Sequence, residues 1–142
     1  MNPVVLLNTF NLTSAAGFLI AGASRCQVTR RGPYWEATGY RWRFPAAGAV
    51  TVGCVVISRR PLTERVWRHE VTHIRQYALL GPVFWPAYAL AAGGSWLRTG
   101  DWWSRNVFER RAGLSAGGYV ERPLKRFGRP TPGATAADAA TA

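Results

Sequence analysis

The run His69-Glu70-Val71-Thr72-His73 constrains this chain most, because these residue types at this spacing have a joint use only on one helix. Residues four apart share a helix face, so both imidazoles can reach a single ion and the glutamate between them can reach a water beside it. The flanking residues predict that helix. Pro61 and Thr63 open it, with Thr63 as N-cap, and Gly81-Pro82 stops it. Val66, Trp67, Val71, Ile74, Leu79 and Leu80 supply apolar positions at helical spacing. Val71 and Thr72 are uncharged, as a helix buried beside a metal requires, whereas Arg75 points to solvent or to an anionic substrate. The chain has two histidines, and the motif uses both. The chemistry expected of it is that of zinc with three protein ligands, which keeps an open position, acidifies its water and polarises a carbonyl. Glu70 would take the water's proton and pass it to the leaving amine.

A third ligand must come from elsewhere, and the downstream acids are Asp101, Glu109, Glu121 and Asp138. Asp101 stands at an expected helix start, where N-capping is role enough. Glu121 precedes Arg122-Pro123 and reads as exposed, and Asp138 falls in the terminal segment. Glu109 lies in an apparently helical stretch reached through one intervening helix, with Phe108 and Ala112 to face the core and hold the carboxylate on a rigid element. Glu109 is the preferred ligand, with Asp101 and Glu121 as alternatives. Asn106, three residues earlier, is either an orienting hydrogen-bond partner or a surface amide.

Elsewhere the pattern is mixed. Residues 4–23 read as one helix or two short ones, interrupted at Gly17 and Gly22. Residues 26–31 and 34–44 are strand-like around Gly32-Pro33 and Gly39, and the valine-rich residues 48–57 are the clearest strand. After the motif helix, apolar helices are expected over 84–97 and 102–114, the second following the Thr99-Gly100-Asp101 turn. From Gly128 onward no apolar pattern remains, which predicts disorder. The expected class is α+β: a small antiparallel sheet, then the HExxH helix, then a helix carrying the third ligand. The expected organisation is an apolar N-terminal segment (1–25), a catalytic domain (26–127) and a tail (128–142).

A length of 142 residues holds one domain with a modest core. The formal charge of +11 rests on 18 basic residues, of which only Lys125 is lysine. An Arg-rich, Ala-rich chain is what a GC-rich genome produces, and the charge also favours an anionic membrane surface or an acidic substrate. It does not by itself make a nucleic-acid binder, since no helix-turn-helix or aromatic RNA-binding motif accompanies it. Cys26 and Cys54 lie far apart and form neither a disulfide framework nor a cysteine zinc site. The first basic residue is Arg25, so the apolar start lacks the basic beginning of a secretory leader, although Ala21-Gly22-Ala23 resembles a cleavage site. Residues 76–97 are uncharged and long enough to span a bilayer, yet Gly81-Pro82, Pro86 and Gly93-Gly94 punctuate them, which favours a buried helix hairpin. Trp67, Trp85, Trp96, Trp102 and Trp103 gather around the motif in sequence as core, as a cover for the metal, or as an interfacial belt. The compartment expected is the cytoplasm, with membrane association as a further option.

The segment 69–88 (HEVTHIRQYALLGPVFWPAY) together with 106–112 (NVFERRA) resembles small bacterial gluzincin-like proteins with a HExxHxRQY…G…PAY…NxFExxA pattern. It is similar, more loosely, to minimal gluzincins and to membrane prenyl-protein-processing peptidases, whose third ligand begins a Glu-x-x-Ala element. That resemblance implies zinc held by His69, His73 and Glu109, with Glu70 as catalytic base. It also implies that residues 48–57 form an edge strand on which peptide backbone is bound. Gly113 stands where the prenyl-peptidase relatives carry an aspartate. The function expected is a zinc-dependent peptidase or amide hydrolase acting on a peptide or protein, and the alternative is a non-catalytic zinc-binding scaffold.

Overall fold

Helix α3 (Glu64–Leu80) carries the motif and organises the rest of the chain in the computed structural model, which describes residues 2–42 and 48–125. Thr63, in extended conformation, accepts from the Val66 N–H as N-cap. The helix leaves at Gly81, whose φ of +56° favours glycine and whose N–H donates to the Tyr77 carbonyl. Its buried stripe includes Trp67, His69, Glu70, His73, Ile74, Gln76 and Tyr77, while Arg75 is exposed.

The sheet in front of α3 is mixed, with strand order β1-β2-β4-β3. Strands β1 (Gln27–Arg31) and β2 (Tyr34–Thr38) form one antiparallel hairpin, and β3 (Ala49–Val52) and β4 (Val55–Ser58) a second. The hairpins join through parallel pairing of β2 with β4, Trp35 opposite Val55 and Thr38 opposite Ser58. Two expectations are corrected here. The sheet is not purely antiparallel, and residues 48–57 are not one strand but a hairpin folded at Gly53. Gly53 has φ +59°, and a Cβ there would lie 2.3 Å from the Ser14 backbone nitrogen. The valine run hid the turn because β4 is buried on both faces, so it shows no alternation. Val55 and Ile57 pack toward Ala21 of the N-terminal helices, while Val56 and Cys54 pack toward Trp67 and Ile74 of α3. Helices thus cover both faces of β4.

The apolar segment 1–25 forms two helices, α1 (Pro3–Phe10) and α2 (Thr13–Ala23), bent by 77°. The break falls at Asn11-Leu12, where Leu12 has φ +62°, and not at Gly17 or Gly22. Asn11 makes this corner: its Oδ1 accepts from the Thr13 N–H and hydroxyl, and its Nδ2 donates to the Tyr77 carbonyl at 3.1 Å. Asn8, fully buried, donates to the Ile74 carbonyl at 3.0 Å. Gly17 is a contact rather than an interruption, because a Cβ there would lie 2.4 Å from the Val52 carbonyl oxygen. Among the described residues no single helix is long and apolar enough to cross a membrane.

After one 3-10 turn (Gly81–Val83), α4 (Phe84–Thr99) leads to α5 (Val107–Ala112). The expected helix over 102–114 is thus only six residues long. Asp101 Oδ1 accepts from the Trp103 and Ser104 N–H groups and folds the preceding residues into turns instead. The expected disordered tail, 128–142, lies outside the described residues, as do Asp138 and residues 43–47.

Candidate metal centre

One turn of α3 brings His69 and His73 together edge to face, with Nε2 atoms 3.1 Å apart. From α5, Glu109 places Oε2 3.1 Å from His69 Nε2 and Oε1 3.6 Å from His73 Nε2. Donors about 2.0 to 2.1 Å from a tetrahedral ion lie roughly 3.3 to 3.4 Å from one another, and the three observed separations straddle that value. These three residues are 2%, 7% and 3% exposed. Together they can hold a metal ion.

The hydrogen bonds behind the ligands determine where the protons sit. His69 Nδ1 lies 3.1 Å from the Gly113 carbonyl, which can only accept, so Nδ1 carries hydrogen and Nε2 a lone pair. The Phe108 carbonyl accepts from Gln76 Nε2 at 3.1 Å, which turns Gln76 Oε1 toward His73 Nδ1 at 2.8 Å. His73 therefore also presents a lone pair at Nε2. Two lone pairs and a carboxylate converge on one dry space, and only a cation or a proton reconciles them. Glu109 Oε2 is buried without an aligned hydrogen-bond partner among the described residues, close to His69 but not directed at it. This is the arrangement that ligation by both imidazoles and the carboxylate requires.

The local electrostatics agree. Burial would push the Glu109 carboxyl up, but the His69 and His73 imidazoles beside it hold it down to about 2. Burial works against an imidazolium at His69, yet the nearness of Glu109 and the charges of Glu70 and Glu109 raise its pKa. Tyr88 is pushed far up, by burial first and then by the Glu109 charge, so it stays a phenol and donates to Glu109 Oε1 at 2.5 Å.

Glu70 is buried beside its neighbours, and Thr51 of β3 donates to its Oε2 at 2.6 Å. The sheet's edge strand thereby fixes the glutamate's rotamer and leaves Oε1 for other work. The turn after α5 lies close over His69: a Cβ at Gly117 would stand 2.6 Å from the ring. Beside His69 a cleft of about 510 Å³ opens between α3 and this turn, lined by Arg65, Arg68, Thr72, Ala112 and Ala116.

The structure thus brings together His69, His73 and Glu109, with Glu70 adjoining them, and leaves the other acids apart. Asp101 serves its turn, and exposed Glu121 pairs with Arg105 and Arg110, each at 2.8 Å. Asn106 is the buried N-cap of α5, its Oδ1 accepting from the Phe108 N–H. Sequence reasoning assigned no role to Thr51, Gln76, Tyr88 or Gly117. Gln76 offered a signal, since it lies three residues from His73 and so on its face. Tyr88 is the last residue of the PAY element, which marked the position without its role, and Thr51 offered no signal, because both roles depend on how separate elements meet.

The tryptophans divide. Trp67 is buried on the inner face of α3 with the Arg31 guanidinium 4.5 Å from its ring, and Trp103 stacks on Tyr119 near His69. Trp96 and Trp102 stack on each other and are half-exposed. No family model matches this sequence, and no curated protein or solved structure matches it either.

Proposed function

We propose that this protein is a zinc-dependent peptidase or related amide hydrolase of the gluzincin type, built as a minimal zincin-like domain. The observation that carries the reading is the convergence of His69 Nε2, His73 Nε2 and the Glu109 carboxylate beside a buried Glu70. Two imidazole nitrogens with one carboxylate suit zinc. Zinc bound there supplies Lewis acidity, acidifying water and polarising an amide carbonyl. Glu70 is the proton carrier: with Oε2 held by Thr51, its Oε1 accepts the proton from the attacking water and returns it to the leaving amine. Tyr88, protonated, keeps the Glu109 carboxylate from turning away. Because β3 is a sheet edge and its Thr51 touches Glu70, a peptide backbone added along that edge would lie beside the proton carrier.

Glu70→Gln keeps the shape and cannot take the proton. The zinc-loaded variant should retain its metal and lose peptide-library cleavage by about 10²- to 10⁴-fold. Cleavage at the wild-type rate would remove Glu70 from the mechanism. The close approach of the Gly117 turn to His69 narrows access and favours a second reading, a non-catalytic zinc-binding scaffold. A zinc-loaded wild type inert toward broad peptide libraries would select that reading.

A further inference from the structure

The sequence has two long stretches without charge, residues 2–24 and 76–97, in a chain of net charge +11. They meet in space. The Asn11 corner between α1 and α2 donates to the Tyr77 carbonyl, and the Asn11 side chain lies about van der Waals distance from Gly81 at the end of α3. Four large apolar side chains flanking this contact are exposed. Phe10 and Leu12 stand on one side of it, at 80% and 69% exposed, and Leu79 and Val83 on the other, at 81% and 60%. The result is one uncharged apolar tip, built from a helix corner and a helix end. Its rim is amphipathic: Trp85, half-exposed, sits edge-on to Tyr77, and exposed Arg75 lies one helical turn below Leu79.

We infer that this tip docks the protein peripherally on an anionic lipid bilayer, with Phe10, Leu12, Leu79 and Val83 inserted among the acyl chains and Arg75 at the headgroups. Charge selects the occupant. A second copy would bring another +11 against the first, whereas an anionic leaflet attracts that charge while the tip itself offers no ion to desolvate. Length sets the depth. The helices α1 and α2, of 8 and 11 residues, reach about 12 and 17 Å, short of the roughly 30 Å hydrocarbon core, and Asn8 and Gly17 tie them to α3 and the sheet. His73 lies seven residues before Leu80, so the candidate metal centre is about 10 Å along α3 from the tip. The inference does not depend on the site's chemistry.

The test is sedimentation of the full chain with phosphatidylcholine vesicles containing or lacking phosphatidylglycerol. Wild type should pellet with the anionic vesicles and bind the neutral ones at least about tenfold more weakly. Phe10→Ser with Leu79→Ser should lower anionic-vesicle binding by about tenfold or more. Leu12→Ser with Val83→Ser should do the same as an independent pair, and Leu124→Ser, beyond the far end of α4, should change nothing. Three results would overturn the inference: wild type that ignores both vesicles, tip variants that bind as wild type does, or self-association in solution that the tip substitutions abolish.

Discussion

Two helices carry the three proposed ligand atoms, and they are held in place by different means. Helix α3 has 17 residues, an N-cap at Thr63, a glycine exit and a buried stripe along its length. Helix α5 has six residues, under two turns, which is too short to persist by itself. Beyond its Asn106 cap, α5 is fixed from outside. Gln76 donates to its Phe108 carbonyl, Tyr88 donates to Glu109, and the Gly113 carbonyl at its end receives the His69 ring. Two of those three contacts belong to the α3 ligands' own supports. Gln76 links His73 to α5, and Gly113 links α5 to His69. The two histidines are therefore arranged by local helix geometry, while the carboxylate is arranged by tertiary contacts that also orient the histidines. Docking of α5 and binding of the ion should be strongly coupled.

Substitutions along this link can break or sharpen the contrast. Glu109→Ala has the largest expected effect, since it removes a proposed ligand and leaves two lone pairs facing one another. Its zinc affinity, measured by chelator competition, should fall by more than that of any supporting variant, with α3 still helical by circular dichroism. Wild-type affinity in this variant would mean that α5 carries no ligand. Gln76→Ala comes next, because it frees the His73 ring and unties the Phe108 carbonyl together. A loss of about 10- to 100-fold in zinc affinity is expected. A lower thermal midpoint of the metal-free protein should accompany it, from buried groups left unpaired at about 1–3 kcal/mol. Unchanged affinity would show that the two helices are held independently. Tyr88→Phe removes one hydroxyl from Glu109 and should cost about tenfold in affinity, at the low end of the supporting range, with little change in midpoint. An effect exceeding that of Gln76→Ala would reverse the proposed ranking.

This division also explains what was legible in the sequence. The α3 helix could be read with its cap, stop, motif face and exposed Arg75, because each follows from residues within a few positions of one another. Glu109 could be preferred among the acids, but the six-residue length of its helix could not be foreseen, since Asp101 diverts the preceding backbone into turns through its own side chain. The α+β class was legible, and the sheet's topology was not. Parallel pairing of β2 with β4 depends on β3 folding back at Gly53, and the doubly buried β4 erases the alternation that would mark a hairpin. Gly17 was misread for a related reason: a glycine that lets a helix approach a strand looks, in sequence, like one that breaks a helix. The buried partners Thr51, Gln76 and Tyr88 act across 19, 32 and 21 residues, and residue pattern carries no distance of that kind.

The central claim is that one zinc ion sits among His69, His73 and Glu109, and anomalous diffraction at the zinc edge from crystals of the zinc-loaded full chain tests it most directly. The account predicts one strong peak per chain, about 2.0 to 2.2 Å from His69 Nε2, His73 Nε2 and a Glu109 carboxylate oxygen. No peak there, or a peak whose third protein ligand is Asp101 or Glu121, would contradict it.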